Sequence, residues 1–172
     1  MTSYKEKLNQ ITTFIFDVDG VLTNGEVILY QDEVVRTLNT RDCYAIQYAA
    51  KMGYRILIIT GGHSDPLKKR LLHLGCEKVI LSAENKSLEY EKLKEEYGFD
   101  DEQVAYMGDD LPDYEVMKKV GLATCPQDAT VEVKEICHYQ SPYNGGRHCV
   151  RDLIEQTLRV QGKWFSDQAF HW

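Results

Sequence analysis

The sequence predicts an α/β protein in which a mostly parallel sheet carries helices on both faces. Short apolar runs alternate with longer segments of helical periodicity from about residue 55 onward, and this alternation is typical of β-α-β units. The first apolar run, Phe14–Phe16, is continuous and β-rich, as expected of a strand buried on both faces. We therefore expect a Rossmann-like sheet within a single domain that spans residues 1–172.

The composition is that of a globular domain, with 43% hydrophobic and 27% charged residues. A formal net charge of −7 argues against non-specific binding to nucleic acid, and no apolar stretch has the length of a membrane span. The polar segment 1–10 does not resemble a signal peptide, and the five cysteines lack C-x-x-C spacing. We therefore expect a cytoplasmic protein with no membrane or nucleic-acid partner, and residues 1–10 as a loosely held lead-in.

Before residue 55, the sequence predicts a hairpin and a helix after the first strand. Glu26–Tyr30 and Val34–Leu38 are β-branched segments joined by a short polar link, which predicts a projecting β-hairpin over about residues 26–38. Cys43–Met52 carries alanines and an isoleucine on one helical face. Gly53 fits the position just past the end of that helix.

After residue 55, predicted strands and helices alternate, with Ser64 as a helix cap and Gly98 as a helix stop. The predicted strands are Arg55–Thr60, Lys78–Leu81, Gln103–Met107 and a weak one at Leu122–Thr124. The predicted helices run from Ser64 to Leu74, over Lys86–Tyr97, from Pro112 to Val120, over Ala129–Ile136 and over Cys149–Gln161.

Polar side chains follow four of the predicted strands, at the edge where open α/β sheets bind ligands. They are Asp17 and Asp19 after the first run, Thr60 after the next, Lys86 a few residues after the third, and Asp109, Asp110 and Asp113 after the fourth. A solvated turn would explain any one of these positions, since Asp is common in turns. It would not explain their repetition at one edge, so the sequence predicts a single polar site.

The carboxylates of this set predict a bound cation, because clustered negative charges repel one another. A group of oxygen donors without His or Cys suits Mg²⁺, which commonly shares its remaining positions with a substrate phosphate. Of two carboxylates one residue apart, one can act as a nucleophile and the other as an acid and then a base. A hydroxyl and an ammonium group can donate to the phosphoryl oxygens. The pattern therefore favours phosphoryl transfer.

In their order along the chain, these motifs resemble the four motifs of the haloacid dehalogenase-type phosphatases: Asp17-Val18-Asp19-Gly20, Thr60-Gly61, Lys86 and Gly108-Asp109-Asp110-x-x-Asp113. The resemblance spans nearly the whole chain. It implies that Asp17 is the nucleophile and forms an aspartyl-phosphate, and that Asp19 protonates the leaving oxygen and then activates water. It also implies that Thr60 and Lys86 hold the phosphoryl group.

The same resemblance implies a metal site for the acidic residues. Mg²⁺ would be held by Asp17, Asp109 and the main-chain carbonyl of Asp19. Asp110 and Asp113 would lie in the outer shell, where they shape the site or orient the lysine.

Larger members of that superfamily carry an inserted cap domain, whereas here only the hairpin occupies the first insertion point. The resemblance therefore implies a protein with no cap domain, whose open site a neighbouring subunit covers. The aromatic C-terminal tail, about residues 162–172, is expected to be exposed in a monomer and to pack on another subunit.

Further stretches resemble a tetrameric subfamily, the 3-deoxy-D-manno-octulosonate (KDO) 8-phosphate phosphatases: Asn39-Thr40-Arg41-Asp42, Thr60-Gly61-Gly62 and Gly145-Gly146-Arg147. This resemblance implies a homotetrameric phosphatase that acts on a sugar-acid phosphate in lipopolysaccharide biosynthesis. The guanidinium of Arg41 could grip the substrate carboxylate with two hydrogen bonds. The candidate substrate-binding residues are Asn39, Arg41, Asp42, Gly61, Gly62, His63, Arg70 and Arg147.

Two alternatives remain open at the level of the sequence. The substrate could be a nine-carbon, sialic-type sugar acid 9-phosphate, since Cys43 and His63 depart from the pattern of the subfamily. The chain could also be a phospho-accepting signalling domain, which likewise gathers aspartates, a threonine and a lysine on an α/β sheet. Such domains usually accept phosphate on an aspartate further along the chain, which favours the phosphatase.

Overall fold

A six-stranded parallel sheet forms the centre of the computed structural model, which describes residues 3–172. In chain order the strands are β1 (Thr13–Phe16), β2 (Ile28–Tyr30), β3 (Glu33–Val35), β4 (Arg55–Ile59), β5 (Lys78–Ile80), β6 (Val104–Met107), β7 (Leu122–Cys125) and β8 (Tyr139–Gln140). Strands β2 and β3 form a separate antiparallel hairpin, and the sheet has the order β5-β4-β1-β6-β7-β8. The predicted fold class is confirmed, with hairpin strands shorter than predicted and with β8 as a strand that the sequence did not indicate.

Helices follow most of the strands of the sheet and end where local signals indicate. They are α1 (Tyr4–Lys7), α2 (Thr40–Lys51), α3 (Asp65–His73), α4 (Lys86–Tyr97), α5 (Tyr114–Met117), α6 (Val131–Ile136) and α7 (Cys149–Val160). The Ser64 hydroxyl accepts a hydrogen bond from the backbone of α3, and Gly98 ends α4 in the left-handed conformation. The helix expected from Pro112 to Val120 is shorter, because Leu111–Asp113 forms a 3₁₀ turn first and α5 ends at Met117.

Two hydrophobic cores lie on opposite faces of the sheet. Phe14 and Phe16 of β1 pack on the face that carries α2, α3 and α7. Ile15 points to the other face, where it joins Tyr90 and Leu93 of α4. Successive side chains of a strand alternate between the two faces, so a strand buried in this way must be apolar throughout, as β1 is.

The N-terminal segment is packed, so the prediction of a loosely held lead-in is wrong for residues 3–10. Leu8 is 1% exposed. The ring of Tyr4 stacks on Tyr139 at 4.5 Å between centroids, and its hydroxyl donates to Gln156. These partners lie more than 130 residues away along the chain, which is why composition alone did not indicate the packing. Met1 and Thr2 lie outside the described residues.

The C-terminal tail lies across α2 of its own chain. The ring of Trp164 meets that of Tyr48 edge-on at 5.3 Å, and the Tyr48 hydroxyl donates to the backbone oxygen of Lys163. The Tyr44 hydroxyl donates to the backbone oxygen of Ala169. Three aromatic residues of the tail stay exposed, Phe165, Phe170 and Trp172. These rings could still contact another subunit, so that expectation stays a prediction.

Within residues 3–172, no helix combines the length and the apolar character that crossing a membrane requires.

Candidate active site

The candidate site lies where the sheet topology changes direction. From β1, the chain adds β4 and β5 on one side and later β6, β7 and β8 on the other. Phe16, the last residue of β1, is therefore flanked by Ile58 and Met107 of the two neighbouring strands. A crevice at the carboxyl ends of the strands is expected at such a switch point. Asp17 enters it directly after β1.

A buried ion-pair cluster occupies this crevice. The Nζ of Lys86, at the start of α4, lies 2.9 Å from Asp17 Oδ1 and 2.7 Å from Asp113 Oδ1. Asp17, Lys86 and Asp113 are 6%, 5% and 0% exposed. Burial opposes the charge of Lys86, but the two carboxylates outweigh it and raise its pKa. Removing Lys86 would leave two buried carboxylates without their cation, which is costly.

Asp113 is held in place by donors other than Lys86. The Tyr106 hydroxyl donates to Asp113 Oδ1 at 2.5 Å, and the backbone N–H of Asp109 donates to Oδ2 at 3.2 Å. Asp110 is exposed and caps the 3₁₀ turn that carries Asp113. Asp113 thus supports the lysine, and Asp110 supports the loop that carries Asp113.

Asp17, Asp109 and Asp113 form a cluster that could hold a metal ion, since a carboxylate oxygen from each lies within 4.8 Å of the others. Burial, together with the charge of Asp113, raises the pKa of Asp17 to about 6. Burial and the charges of Asp17 and Asp113 raise the pKa of Asp109 to about 8. Asp109 thus needs additional positive charge to ionise fully at neutral pH, and a cation would favour the ionised form of both carboxyls. Because every donor is a hard oxygen, the set fits Mg²⁺. Both oxygens of Asp113 already accept hydrogen bonds, from Lys86 and Tyr106 on one side and from the Asp109 N–H on the other, which favours Asp17 and Asp109 as the candidate ligands.

These pKa values predict how pH affects the metal-free protein. The pKa of Asp109 has its ordinary value of 3.8 in the unfolded chain and rises to about 8 in the folded protein. Between these values the folded state binds more protons, so this site lowers the free energy of unfolding as pH rises from about 4 to about 8. Mg²⁺ competes with those protons, and it should therefore stabilise the protein more at pH 8 than at pH 5.

Thermal unfolding at pH 5 and at pH 8, with EDTA or with Mg²⁺, measures how much Mg²⁺ raises the melting temperature, here called the Mg²⁺ increment. In Asp109→Asn the pH dependence of the Mg²⁺ increment should be reduced. Equal Mg²⁺ increments at pH 5 and pH 8 in the unsubstituted protein would contradict the assigned electrostatics.

Asp19 has a partner that the sequence did not reveal. Arg36, which directly follows β3, places Nε 2.6 Å from Asp19 Oδ1 and Nη2 3.0 Å from Oδ2. This two-pronged pairing is the strongest geometry for an arginine and a carboxylate. An arginine after a short strand carries no functional signal by itself, because the contact depends on how the hairpin folds over the Asp19 loop.

Thr60 is buried at the end of β4, next to the strand that carries Asp17. Its hydroxyl oxygen accepts a hydrogen bond from the backbone N–H of Gly62 at 3.2 Å. This bond shapes the Gly61-Gly62 turn beside the crevice.

The candidate substrate-binding residues do not all gather in one place. His63 and Arg70 line a cavity of about 690 Å³ between the hairpin, α2 and α3, and Arg36 lines the same cavity. Arg41 instead lines a second cavity of about 700 Å³, together with Tyr143 and other residues.

Other members of the set have structural partners. The Asn39 side chain caps α2 by accepting from Arg41 N at 2.9 Å. Asp42 is buried and accepts from the backbone N–H groups of His148 and Arg151 at the start of α7. Burial raises the pKa of Asp42, against the opposing effect of those donors. Asp42 therefore ties α2 to α7 in this structure instead of facing either cavity.

The Gly145-Gly146-Arg147 stretch packs directly on the loop that follows Asp19. A Cβ at Gly145 would lie 1.9 Å from the backbone oxygen of Gly20, so only glycine permits this approach. The N–H of Gly146 donates to Val21 O. The two glycines thus support the Asp19 loop, while Arg147 is exposed.

Comparison with known proteins identifies the family. A family model described as haloacid dehalogenase-like hydrolase matches residues 42–121. The 3-deoxy-D-manno-octulosonate 8-phosphate phosphatase of Salmonella typhi is 34% identical over 163 residues, which cover 94% of this chain and 87% of the relative. The chain belongs to the haloacid dehalogenase-like hydrolases. It is a phosphoric monoester hydrolase, as the motifs predicted, and not a signalling domain.

Solved structures of other haloacid dehalogenase-like hydrolases share this fold. The 3-deoxy-D-manno-octulosonate 8-phosphate phosphatase of Yersinia pestis matches with a TM-score of 0.89 at 32% identity, over 92% of this chain and 86% of that one. The corresponding enzyme of Moraxella catarrhalis, solved with a magnesium ion, a phosphate ion and a KDO molecule, matches with a TM-score of 0.89 at 26% identity, over 93% and 92% of the chains.

Proposed function

We propose that this hydrolase removes phosphate from 3-deoxy-D-manno-octulosonate 8-phosphate with Mg²⁺ as its cofactor. The observation that carries the proposal is the buried Asp17 carboxylate beside Lys86 at the switch point of the sheet. Relatives of that name match over most of their length, which supports the choice of substrate. The magnesium and phosphate bound to the Moraxella catarrhalis enzyme support the choice of cofactor.

In the proposed mechanism, Asp17 attacks the phosphorus atom and an aspartyl-phosphate forms as the bond to the sugar oxygen breaks. Asp19 gives its proton to that oxygen, and then takes a proton from the water that hydrolyses the intermediate. Thr60 and Lys86 donate to the phosphoryl oxygens. Asp17, Asp109 and the main-chain carbonyl of Asp19 would hold Mg²⁺, which neutralises negative charge on the carboxylates and the phosphate when bound.

The sugar acid is proposed to occupy the cavity of about 690 Å³ beside the hairpin. This volume lies within the range of small-molecule sites. Arg36 lies between the cavity and the Asp19 loop, because it lines the cavity and also contacts Asp19. Arg70 lines the same cavity and has no carboxylate partner among residues 3–172, so we assign it to the carboxylate of the sugar acid.

The test is a phosphate-release assay over eight- and nine-carbon sugar-acid phosphates, with Mg²⁺ or with EDTA. The expected result is steady release from the eight-carbon substrate that EDTA abolishes. A clear preference for the nine-carbon 9-phosphate would replace the proposed substrate. Absence of Mg²⁺-dependent release from every sugar-acid phosphate would overturn the function.

We also propose that the enzyme works as a homotetramer in the cytoplasm, in lipopolysaccharide biosynthesis. The exposed apolar side chains of the hairpin, Ile28, Leu29 and Tyr30, support self-association. Arg41 and Arg147 stay candidates for substrate contact in such an assembly. Sedimentation of the purified protein tests the tetramer, and a monomer at assay concentrations would contradict it.

A further inference from the structure

We propose that Arg36 is the positioning residue for Asp19, so that the hairpin completes the site by orienting the proton donor of the reaction. This inference rests on the proposed function, because it takes Asp19 as the group that protonates the leaving oxygen. None of the catalytic motifs in the sequence contains Arg36, and it reaches the site only because β2 and β3 fold back over the loop that carries Asp19.

The pairing orients Asp19 without blocking it. Two guanidinium nitrogens of Arg36 reach the two separate carboxylate oxygens of Asp19, which fixes the plane of the carboxyl group. A carboxyl group has about four lone-pair positions, so each oxygen keeps one that can hold the proton passed to the leaving oxygen while the contacts with Arg36 persist. The Arg36 side chain is 8% exposed and that of Asp19 is 35% exposed. The arginine is thus held inside, while the carboxylate keeps an open side.

Gly62 provides the space that the guanidinium occupies. A Cβ at position 62 would lie 2.7 Å from Arg36 Nη2 and 3.0 Å from Asp19 Oδ2. Any larger side chain would therefore push the arginine away from the aspartate. Thr60 holds this turn through the Gly62 N–H, so the turn that follows β4 and the hairpin together determine where Asp19 points.

If Arg36 positions the proton donor, the effect of its replacement on kcat should depend on the leaving group of the substrate. An alkyl oxygen of a sugar needs a proton as it leaves, whereas the p-nitrophenolate of p-nitrophenyl phosphate leaves without one. Arg36→Met keeps part of the apolar stem but removes the guanidinium. It should lower kcat for the sugar-acid phosphate by about 10- to 100-fold, the loss typical of a removed charged hydrogen bond, and leave turnover of p-nitrophenyl phosphate nearly unchanged.

Three further variants separate positioning from a structural role. Arg36→Lys keeps the charge but cannot grip both oxygens at once, so its kcat should fall between those of Arg36→Met and the unsubstituted enzyme. Gly62→Ala should show the same leaving-group selectivity, and adding it to Arg36→Met should cause little further loss. The matched control is Arg55→Met. Arg55 lies at the opposite end of β4 and pairs with Glu77 near the surface, so its replacement should leave kcat unchanged on both substrates.

If Arg36→Met loses kcat equally on both substrates, Arg36 has a structural role and the inference is overturned. If kcat on the alkyl ester is unchanged, Arg36 does not contribute to the reaction, and this result also overturns the inference. If the enzyme rejects every sugar-acid phosphate, the proposed substrate fails. The comparison then uses whichever alkyl phosphate it hydrolyses, so the two failures remain distinguishable.

Discussion

Replacing Asp17 by asparagine should abolish turnover while the fold persists. The variant loses the proposed nucleophile and a proposed metal ligand, so kcat should fall by at least about 10⁴-fold. The amide is nearly the same size as the carboxyl, and it removes a charge that stands near Asp113 and Asp109. The melting temperature without Mg²⁺ should therefore stay the same or rise. Steady-state phosphate release and thermal unfolding measure the two effects.

A matched control and a trapping experiment make this result specific. Asp100→Asn changes an exposed aspartate just before β6, at the opposite end of the sheet, and should keep full activity. Acid quenching during turnover should leave labelled phosphate on the unsubstituted protein but not on Asp17→Asn, since an aspartyl-phosphate needs Asp17. Near-normal activity of Asp17→Asn would mean that another residue is the nucleophile.

Replacing Lys86 by methionine should destabilise the protein strongly as well as inactivate it. The change leaves Asp17 and Asp113 buried without their cation, and breaking a buried pair costs about 3–5 kcal/mol. Urea unfolding in EDTA should show a loss of this size. Mg²⁺ should restore part of the stability, because it supplies positive charge to the same carboxylates.

Two comparisons test this explanation of the Lys86 effect. Lys92→Met lies on the same helix, but its contact with Glu89 is near the surface, so its effect should be small. Adding Asp113→Asn to Lys86→Met should regain stability, because it removes one of the uncompensated charges. A Lys86→Met variant as stable in EDTA as the unsubstituted protein would contradict the electrostatic role of the lysine.

Local signals in the sequence predicted much of the fold. The ends of α4, Lys86 and Tyr97, are those predicted, because Gly98 directly after the helix adopts the left-handed conformation that ends it. The strand at β1 was predictable because a strand buried on both faces must be apolar at every position. The packing of residues 3–10 was mispredicted, because its partners, Tyr139 and Gln156, lie at the far end of the chain.

Some residues of the candidate site could also be predicted from the sequence, and others could not. Asp17 and Asp109 were predictable because parallel strands present their carboxyl ends at one edge, so residues that follow different strands meet there. The substrate-binding set was less predictable, since Asp42 turned toward the start of α7 and Arg41 toward a separate cavity. The orientation of those side chains depends on how the helices pack, and no local sequence pattern encodes that packing.

The sequence by itself determined most of the strands and helices, and it placed aspartates, a threonine and a lysine at one edge of the sheet. Periodicity and strand-end position carry that information within short stretches. Only the tertiary structure decided that Arg36 holds Asp19, that Gly62 leaves room for it, and that a cavity of about 690 Å³ opens beside Arg36. The physical reason is that these contacts join separate segments of the chain, and their geometry exists only once the hairpin has folded over the sheet.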